Sequence, residues 1–414
     1  MGPARQREFL ELLLRDAVAA ADPLAVVPPH LPDRPAGGRG RVVAIGAGKA
    51  AAGMARAVAA EWPGVSGIVV VPHGGGPAGG AVGAIRVVEA GHPIPDEGSV
   101  LGAREVLRAV AGLGPDDLVV CLLSGGGSAL LALPAPGVSL ADKQAVTREL
   151  LRCGASIAEI NCVRRRLSGI KGGRLAAAAA PARVVTLAIS DVPGDDPGAI
   201  ASGPTVPDPT TASDARAVLA RYGIDEPGAG LSESPSVVPG EYRVVASARV
   251  SLDAAAMAAR AAGVRPIVLS DRIEGDARAV GEALAAQALA TRVTAGRPCV
   301  LLSGGETTAT VRGAGRGGRN TEMALAAAIA LDGAPGVWVL SADTDGIDGA
   351  SGGAGAVSGP DTIGRAAALG LDARVALDES DSGAFFAALG DLIVTGPTGT
   401  NVSDFRAILV EGDR

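Results

Sequence analysis

The three lysines are the first residues to consider, because lysine is scarce in this chain. The 414 residues include 37 basic ones, and only Lys49, Lys143 and Lys171 are lysine. Arginine serves wherever a generic surface cation is sufficient, so a remaining lysine is expected where a compact ammonium group is needed. Lys143, in the helical stretch LADKQAVTREL, is predicted to be an ordinary exposed residue. Lys49 and Lys171 are predicted to have positioned roles.

Lys49 lies where a predicted strand passes through glycines directly into a helix, in AIGAGKAAAGMARAV. Gly46 and Gly48 would let backbone N–H groups and the helix dipole approach an anion, and Lys49 adds a full positive charge. A Walker A loop does not fit, because Val43 and Ala50 stand where it needs Gly and Ser or Thr. A dinucleotide fingerprint fits better, but the next strand ends without an acidic residue for the ribose. The alternative is a tight turn with Lys49 in solvent.

Two Ser-Gly-Gly segments each follow an apolar run and predict backbone contacts with a ligand. Consecutive glycines cost conformational entropy, so they favour a sharp bend or a close approach to phosphate oxygens. A flexible turn is the alternative. The first segment comprises Ser124, Gly125, Gly126, Gly127 and Ser128. The second, which repeats the pattern at the end of another strand, comprises Ser303, Gly304, Gly305, Glu306 and Thr307.

Two arginine-rich segments are further candidates for anion binding. In EINCVRRRLSGIKGGRLA, Asn161 and Lys171 accompany a dense set of arginines that could clamp a carboxylate or a polyphosphate. In VRGAGRGGRNTEMAL, a glycine-rich loop enters a helix at Arg319 and Asn320, where a guanidinium could neutralise charge on a transferring phosphoryl group. A solvated helix face and a disordered basic loop are the respective alternatives.

Aspartates that follow predicted strands are the candidates for metal binding or proton transfer. Asp191 and Asp195 follow VVTLAI, and Asp343 and Asp345 lie in SADTDGIDG. Carboxylates at the carboxyl ends of parallel strands lie where open α/β sheets bind ligands, and they can hold Mg²⁺ or accept a substrate proton. Caps of turns are the alternative for each of them. Asp191 and Asp345 are the predicted metal ligands, although the residues leave open which aspartate binds metal and which acts as the base.

Composition excludes several classes of function. A formal charge of -7 and an aromatic content of 2% argue against a nucleic-acid groove, base-stacking platforms and an aromatic membrane belt. The four scattered cysteines form no CxxC pair and predict reduced thiols in a cytosolic protein. Charged residues interrupt the first apolar stretch, so no signal peptide is predicted, and the expected location is the cytoplasm. His92 lies in a loop, and without a GxSxG motif a serine-hydrolase triad is unsupported.

The alternation of short Val/Leu/Ile runs with Ala-rich stretches predicts an α/β fold with parallel strands covered by helices. The Pro-, Gly- and Ser-rich segment 225–241 predicts a domain boundary, which gives an N-terminal domain over 1–232 and a C-terminal domain over 241–414. The predicted strands are 41–45, 67–71, 85–90, 117–123, 183–189, 243–247, 265–270, 298–303, 337–341 and 391–396.

Taken in order, these segments resemble the glycerate 2-kinase family, the two-domain type with a C-terminal MOFRL domain. The resemblance runs from about residue 5 to about residue 410 and rests on eight motifs, among them GAGKAA, LLSGGGSALL, GRGGRNTEMAL, SADTDGIDG and DLIVTGPTGTNVSD. It implies a Rossmann-like large domain and a smaller α/β domain around a deep cleft. It also implies transfer of a phosphoryl group from ATP to the 2-hydroxyl of D-glycerate, with Mg²⁺ or another divalent ion. Lys49 and Arg319 match the residues expected to act there. The residues themselves, rather than the resemblance, suggest Asp191 as metal ligand or base.

Two other functions remain open from the residues. An NAD(P)-dependent reductase of hydroxypyruvate or tartronate semialdehyde is suggested by the dinucleotide-like glycine turn. A regulatory module that binds a sugar phosphate without turnover is suggested by the two Ser-Gly-Gly segments. The expected partners are D-glycerate and ATP, with no nucleic acid or membrane, and a homodimer is left open as the assembly. On the kinase hypothesis, Lys49→Ala and Arg319→Ala should each abolish phosphoryl transfer and leave the fold intact.

Overall fold

Residues 3–36, 40–228, 230–236, 238, 240–294 and 296–412 are described by a computed structural model. Its helices are α1 Pro3–Ala19, α2 Pro23–Val26, α3 Ala51–Glu61, α4 Glu97–Val110, α5 Gly127–Leu130, α6 Leu140–Arg152, α7 Ile157–Arg166, α8 Arg174–Ala179, α9 Ala212–Arg221, α10 Ala248–Ala261, α11 Ala277–Thr294, α12 Arg319–Leu331, α13 Thr362–Ala368, α14 Ala373–Asp378 and α15 Ser382–Leu389. Its strands are β1 Val42–Ala47, β2 Ser66–Pro72, β3 Ala81–Val82, β4 Ala84–Ala90, β5 Leu118–Leu123, β6 Arg183–Ile189, β7 Glu241–Ala246, β8 Arg265–Ser270, β9 Gly275–Asp276, β10 Cys299–Gly305, β11 Thr307–Thr308, β12 Val337–Asp343, β13 Gly355–Ser358, β14 Leu392–Ile393 and β15 Asp404–Val410.

The chain forms two compact units. The N-terminal unit comprises Pro23–Ser190 and Asp195–Val245, and the C-terminal unit comprises Met1–Asp22, Asp191–Gly194 and Ala246–Arg414. This division differs from the boundary predicted over 225–241, because β7 joins the first sheet beside β6.

Helix α1 also departs from the predicted N-terminal domain. Its apolar face, with Leu10 and Leu13 fully buried, packs in one core cluster with Leu252 and Ala255 of α10. Ser251 donates a hydrogen bond from its hydroxyl to the carbonyl of Ala17 at 2.6 Å. The apolar stripe of α1 is therefore buried by the C-terminal unit.

The sheet of the N-terminal unit confirms the Rossmann-like prediction. Its strand order is β3-β4-β2-β1-β5-β6-β7, and β4, β2, β1, β5 and β6 pair in parallel. The chain leaves β1 towards β2 on one side and leaves β5 towards β6 on the other. Such a switch point, between the carboxyl ends of β1 and β5, is where open α/β sheets bind ligands. Both the Lys49 segment and the first Ser-Gly-Gly segment begin there.

The sheet of the C-terminal unit is mixed, with the order β14-β13-β12-β15-β10-β8. β10 and β8 pair in parallel, whereas β15 lies antiparallel between β10 and β12. The predicted strands omitted β15, whose Asp404 and Arg406 interrupt its apolar run although every residue of it is buried. The predicted strand 391–396 is reduced to the two residues of β14.

Local signals in the sequence account for several helix ends. The capping box predicted at the start of α6 is confirmed: the Ser139 hydroxyl accepts from the Asp142 N–H, and the Asp142 carboxylate accepts from the Ser139 N–H. Within the described residues, none of the helices has both the length and the apolar character needed to cross a membrane.

Candidate functional site

The two glycine segments at the switch point interlock through their backbones. The N–H groups of Gly48 and Lys49 donate to the carbonyls of Val70 and Gly125 at 3.1 and 2.8 Å. The Ala50 N–H donates to the buried Ser124 hydroxyl at 3.0 Å. These N–H groups, which the sequence suggests as an anion cradle, are thus satisfied inside the protein. The interlock instead fixes the backbone that carries the half-buried Lys49 side chain.

Glycine is required in this interlock by close approach. A Cβ atom at Gly46 would lie 2.0 Å from the carbonyl oxygen of Leu122, and one at Gly48 would lie 2.1 Å from the Ser124 hydroxyl oxygen. Gly126, with φ 82°, is crowded in the same way, since a Cβ atom there would lie 2.8 Å from the imidazole of His92. These glycines therefore pack two loops together and place His92 beside the Ser-Gly-Gly segment.

Replacing Gly48 by alanine is expected to destabilise the N-terminal unit. Its φ of 139° and the clash with Ser124 both oppose a Cβ, so Gly48→Ala should lower the free energy of unfolding by about 2 kcal/mol or more. Gly64→Ala is the matched control, because Gly64 also has a positive φ of 86° but nothing lies within 4 Å of its Cβ position. Denaturant unfolding of both variants measures the difference. Equal effects would show that the two loops are not tightly packed.

A polar network joins three predicted site residues at the other side of the Ser-Gly-Gly segment. The ammonium group of Lys171 donates to the carbonyl of Ser128 at 2.7 Å and to its hydroxyl at 3.1 Å. The hydroxyls of Ser128 and Ser202 are 2.8 Å apart, and the Ser202 hydroxyl also donates to the Asn161 side-chain carbonyl at 3.2 Å. Sequence reasoning missed Ser202. The available sequence signal is the motif ASGPT, to which Ser202 belongs. In the structure, Ala201 and Ser202 of this motif have positive φ values.

Most arginines of the predicted anion clamp serve the fold. Arg165 and Arg166 form buried ion pairs with Asp208, at 3.1 and 2.9 Å. Arg174 donates to backbone carbonyls that include that of Lys171, at 2.9 Å. Arg164 differs, because within the described chain its side chain makes no ion pair or hydrogen bond, and it lines a cavity.

Lys143 is not the exposed helix residue that the sequence predicted. Its side chain is 7% exposed, and its ammonium group donates to the Leu167 carbonyl at 2.9 Å. It shares the buried face of α6 with Val146 and Leu150, at helical spacing. The helical period of the sequence already contained this signal, but the polar residue type concealed it.

Lys143, Lys171 and Arg164 line one cavity of the N-terminal unit together with His92, Gly126 and Ser128. The cavity has a volume of about 460 Å³. It lies against the Ser-Gly-Gly segment, so the switch point has a concave, cationic space beside it.

The stability of the protein should depend on pH through Lys143. Burial, with the charges of Arg164 and Arg174, lowers the pKa of Lys143 from 10.5 to about 7. Below about pH 7 Lys143 is charged in both states, so the folded state bears the full cost of burying the charge. Between about pH 7 and pH 10 only the unfolded chain keeps the proton, and the cost to the folded state decreases as the pH rises. Urea unfolding without added anions should show Lys143→Met more stable than the parent at about pH 6, with a smaller gap at about pH 9. A gap that does not change with pH would contradict a titrating buried ammonium.

In the C-terminal unit, Arg319 lies at the centre of three carboxylates. Its Nε donates to Asp404 at 2.8 Å, and its two Nη atoms donate to Glu306 and Asp343, each at 2.7 Å. Burial opposes the charge, but Asp404, Asp343 and Glu306 outweigh it and raise the pKa of Arg319 above its ordinary value. The side chain is 23% exposed. Arg319 is therefore a fixed guanidinium in an acidic cluster rather than part of a disordered basic loop.

Asp404 is the buried centre of this cluster and was missed from the sequence. One of its oxygens accepts from Arg319 and from the Asn320 side chain, and the other accepts from the N–H and hydroxyl of Thr307 and from Arg406. Burial favours the neutral acid, yet the charges of Arg406 and Arg319 hold the pKa of Asp404 below its ordinary value. The predicted residues Glu306, Thr307, Arg319 and Asn320 thus come together around it.

The second Ser-Gly-Gly segment continues its strand and does not make the sharp bend that its consecutive glycines favour. Ser303, Gly304 and Gly305 are the last residues of β10 and pair with β15, where Gly305 lies opposite Asp404. A Cβ on Gly305, which has φ 118°, would lie 2.3 Å from the backbone nitrogen of Ile273. The two segments are therefore alike in sequence but not in structure. The first follows the end of β5, whereas the second forms the last residues of β10.

The predicted metal ligands belong to one edge of the C-terminal unit. The Asp191 carboxylate accepts from the Asn401 side chain at 3.2 Å, and the Ser403 hydroxyl donates to the Asp191 carbonyl at 2.6 Å. Thr344, next to Asp345 in the chain, donates its N–H to the Ser403 carbonyl at 3.1 Å. Asp195 belongs to the other unit.

Neither Asp343 nor Asp345 belongs to a ready-made metal cage. Asp343 binds Arg319, and the Asp345 carboxylate accepts from the Ile347 N–H at 2.9 Å. Within the residues that the structure describes, no group of three or more His, Cys, Asp or Glu side chains is arranged to hold a metal ion. A divalent ion bound mainly by nucleotide phosphates and water would need only one or two of these carboxylates.

Comparison with known proteins identifies the family. Residues 9–231 match the model described as Domain of unknown function (DUF4147), and residues 299–404 match the MOFRL family. A protein of Thermotoga maritima named "D-glycerate 2-kinase" is 41% identical over 88% of this chain and 89% of its own length. The chain belongs to the glycerate 2-kinase family.

A solved crystal structure of another glycerate kinase has the same fold as this chain. The crystal structure of the glycerate kinase from Thermotoga maritima matches with a TM-score of 0.90 at 38% identity, over 99% of this chain and 100% of that one. A protein of Agrobacterium vitis, 52% identical over 98% of this chain and 94% of its own, carries the name "Putative hydroxypyruvate reductase". The family name and that relative's name thus indicate different chemistry.

Proposed function

We propose that this chain transfers the γ-phosphoryl group of ATP to the 2-hydroxyl group of D-glycerate, giving 2-phosphoglycerate and ADP. The observation that carries the proposal is its similarity, along almost its whole length, to the Thermotoga maritima protein named for this activity. The same fold at a TM-score of 0.90 supports it.

The switch point of the N-terminal unit favours a kinase over a nicotinamide-dependent reductase. A dinucleotide would place its pyrophosphate on free N–H groups at the start of α3 and its ribose on an acidic residue at the end of β2. Here the N–H groups of Gly48, Lys49 and Ala50 are bonded within the protein, and β2 ends at Pro72. The glycine turn lacks the features that hold NAD.

In this proposal, Lys49 contributes a positive charge to the phosphate oxygens. The N–H groups of Lys49 and Ala50 bond to the Ser-Gly-Gly segment and that of Gly48 bonds to Val70. These bonds fix the backbone of Lys49, so little reorganisation accompanies the reaction. Asp191, oriented by Asn401, accepts the proton of the 2-hydroxyl group of D-glycerate. The hydroxyl oxygen bonds to the γ-phosphorus of ATP, and the bond between that phosphorus and the β-phosphate oxygen breaks, which releases ADP.

The acidic edge of the C-terminal unit suits a divalent cation. This edge has a net negative charge, because the three carboxylates of Glu306, Asp343 and Asp404 face only two guanidinium groups, those of Arg319 and Arg406. A triphosphate without a metal ion would therefore be repelled there. Asp345 would hold Mg²⁺ together with phosphate oxygens and water, while Asp191 serves as the base. When bound, Mg²⁺ would neutralise charge on the β- and γ-phosphates.

One assay separates the kinase from its two alternatives. The purified full chain is incubated with D-glycerate, ATP and Mg²⁺, and separately with hydroxypyruvate and NADH, while ADP, phosphoglycerate and NADH are followed. The kinase proposal predicts equal amounts of ADP and phosphoglycerate and no NADH oxidation. NADH oxidation without ADP would establish the reductase, and ligand binding without any turnover would establish a regulatory module.

A further inference from the structure

The cavity of the N-terminal unit collects positive charge without a carboxylate to balance it. Lys143, Arg164 and Lys171 contribute cations, with the exposed Arg148 as a fourth, and none of the lining residues is Asp or Glu. Its volume of about 460 Å³ lies within the usual range of small-molecule sites.

Two of these cations, the lysines, are almost completely removed from water. Lys143 is 7% exposed and Lys171 is 2% exposed. Within the described chain, the ammonium group of Lys143 donates only to the Leu167 carbonyl, and that of Lys171 donates only to oxygens of Ser128 and Ala201. Burying an ammonium group with neutral partners alone is costly, and like charges nearby increase the cost.

The neighbouring arginines show that this fold can supply counter-charges. Arg165 and Arg166 directly follow Arg164 in α7, and both pair with the buried carboxylate of Asp208. Lys143, Arg164 and Lys171 have no such carboxylate partner among the described residues. The cost of their burial would be offset by a negatively charged molecule in the cavity.

We propose that this cavity binds an oxyanion, the carboxylate or phosphate group of a small molecule, between Lys143, Arg164 and Lys171. Charge-assisted hydrogen bonds from two ammonium groups and one guanidinium suit such a group. The apolar residues Ile94 and Leu151 also line the cavity and would contact its carbon skeleton. The proposal concerns binding alone, so it stands apart from phosphoryl transfer.

Protonation should accompany this binding. Burial, with the charges of Arg164 and Arg174, lowers the pKa of Lys143 to about 7, and burial lowers the pKa of Lys171 well below its ordinary value. His92 and Arg148 are the other ionisable groups that line the cavity. An anion between the lysines favours their charged forms, so it should cause proton uptake at neutral pH.

The test is calorimetric titration of the full chain at neutral pH with pyrophosphate, inorganic phosphate, D-glycerate, 2-phosphoglycerate and ADP, each without a second substrate. We expect at least one probe to bind, and Lys143→Met and Lys171→Met to weaken it by about tenfold or more. Arg152→Met is the control, because Arg152 ends the same helix α6, is 71% exposed and does not line the cavity; its binding should equal that of the parent. The measured enthalpy should also vary with the ionisation enthalpy of the buffer.

The probes distinguish the sources of the oxyanion. Binding of pyrophosphate or phosphate would assign a phosphate group, and binding of D-glycerate alone would assign a carboxylate. Lys143→Met removes a buried charge and should fold. If Lys171→Met fails to fold, Arg164→Gln replaces it. The proposal is overturned if no probe binds the parent chain, or if the folded cavity variants bind as the parent does.

Discussion

Lys49→Met should lower kcat for ADP formation by about 100- to 1000-fold and leave the thermal unfolding midpoint unchanged. The loss expected when one preorganised charge is removed from a transferring group is of this size. The fold should persist because the interlock uses the backbone N–H of Lys49, which donates to the Gly125 carbonyl, and methionine retains that bond. Steady-state kinetics and thermal unfolding of the purified variant measure the two quantities.

Arg56→Met is the matched control for Lys49→Met. Arg56 is an exposed cation in the same helix-forming segment, on α3, so its loss should change kcat by less than about twofold if position rather than overall charge matters. Near-normal turnover by Lys49→Met would remove Lys49 from the reaction. An equal loss in both variants would attribute the effect to net charge.

Arg319→Ala should lose both stability and turnover, which differs from the expectation drawn from the sequence. Removing the guanidinium leaves Asp404, Asp343 and Glu306 without their shared partner. Loss of one member of a buried ion pair costs about 3–5 kcal/mol, and the lower end is expected here because Asp404 keeps Arg406. Thermal unfolding and kcat, measured well below the variant's unfolding midpoint, separate the two effects.

Two further variants sharpen this second prediction. Arg319→Lys keeps one positive charge but cannot contact three carboxylates at once, so it should recover part of the stability and little of the turnover. Arg312→Ala removes an arginine of the same loop that is 44% exposed, and it should change neither. A folded Arg319→Ala with the parent's midpoint would refute the structural role of the cluster.

Local sequence patterns were sufficient for the five parallel strands of the first sheet, although they missed β3 and assigned β7 to the other domain. Apolar runs bounded by glycine predicted β1, β2, β4, β5 and β6 within a few residues, since parallel strands buried on both faces leave a strong local signal. The same reasoning singled out the segments of Lys49 and Ser124, which the structure packs together, because glycine must stand where two loops touch.

The acidic cluster could not be predicted in this way, because it depends on strand register. Asp404 lies opposite Gly305 on one side and Asp343 on the other. That pairing brings Glu306 and Asp343 to the same end of the sheet, where Arg319 joins them. Register between strands far apart in sequence follows from packing of the whole unit.

Lys143 shows a different limit of sequence reasoning. Its spacing to Val146 and Leu150 placed it on the buried face of α6, but lysine is so seldom buried without a partner that residue type outweighed period. The correct interpretation required both signals, and their conflict marks the cavity now proposed as an oxyanion site.

The position of phosphate on the product tests the central claim most directly. Phosphorus NMR of the product from D-glycerate and ATP should show a phosphate coupled to the single proton on C2, formed in equal amount to ADP. A phosphate coupled to the two protons on C3, or reduction of hydroxypyruvate by NADH with no phosphorylated product, would contradict it.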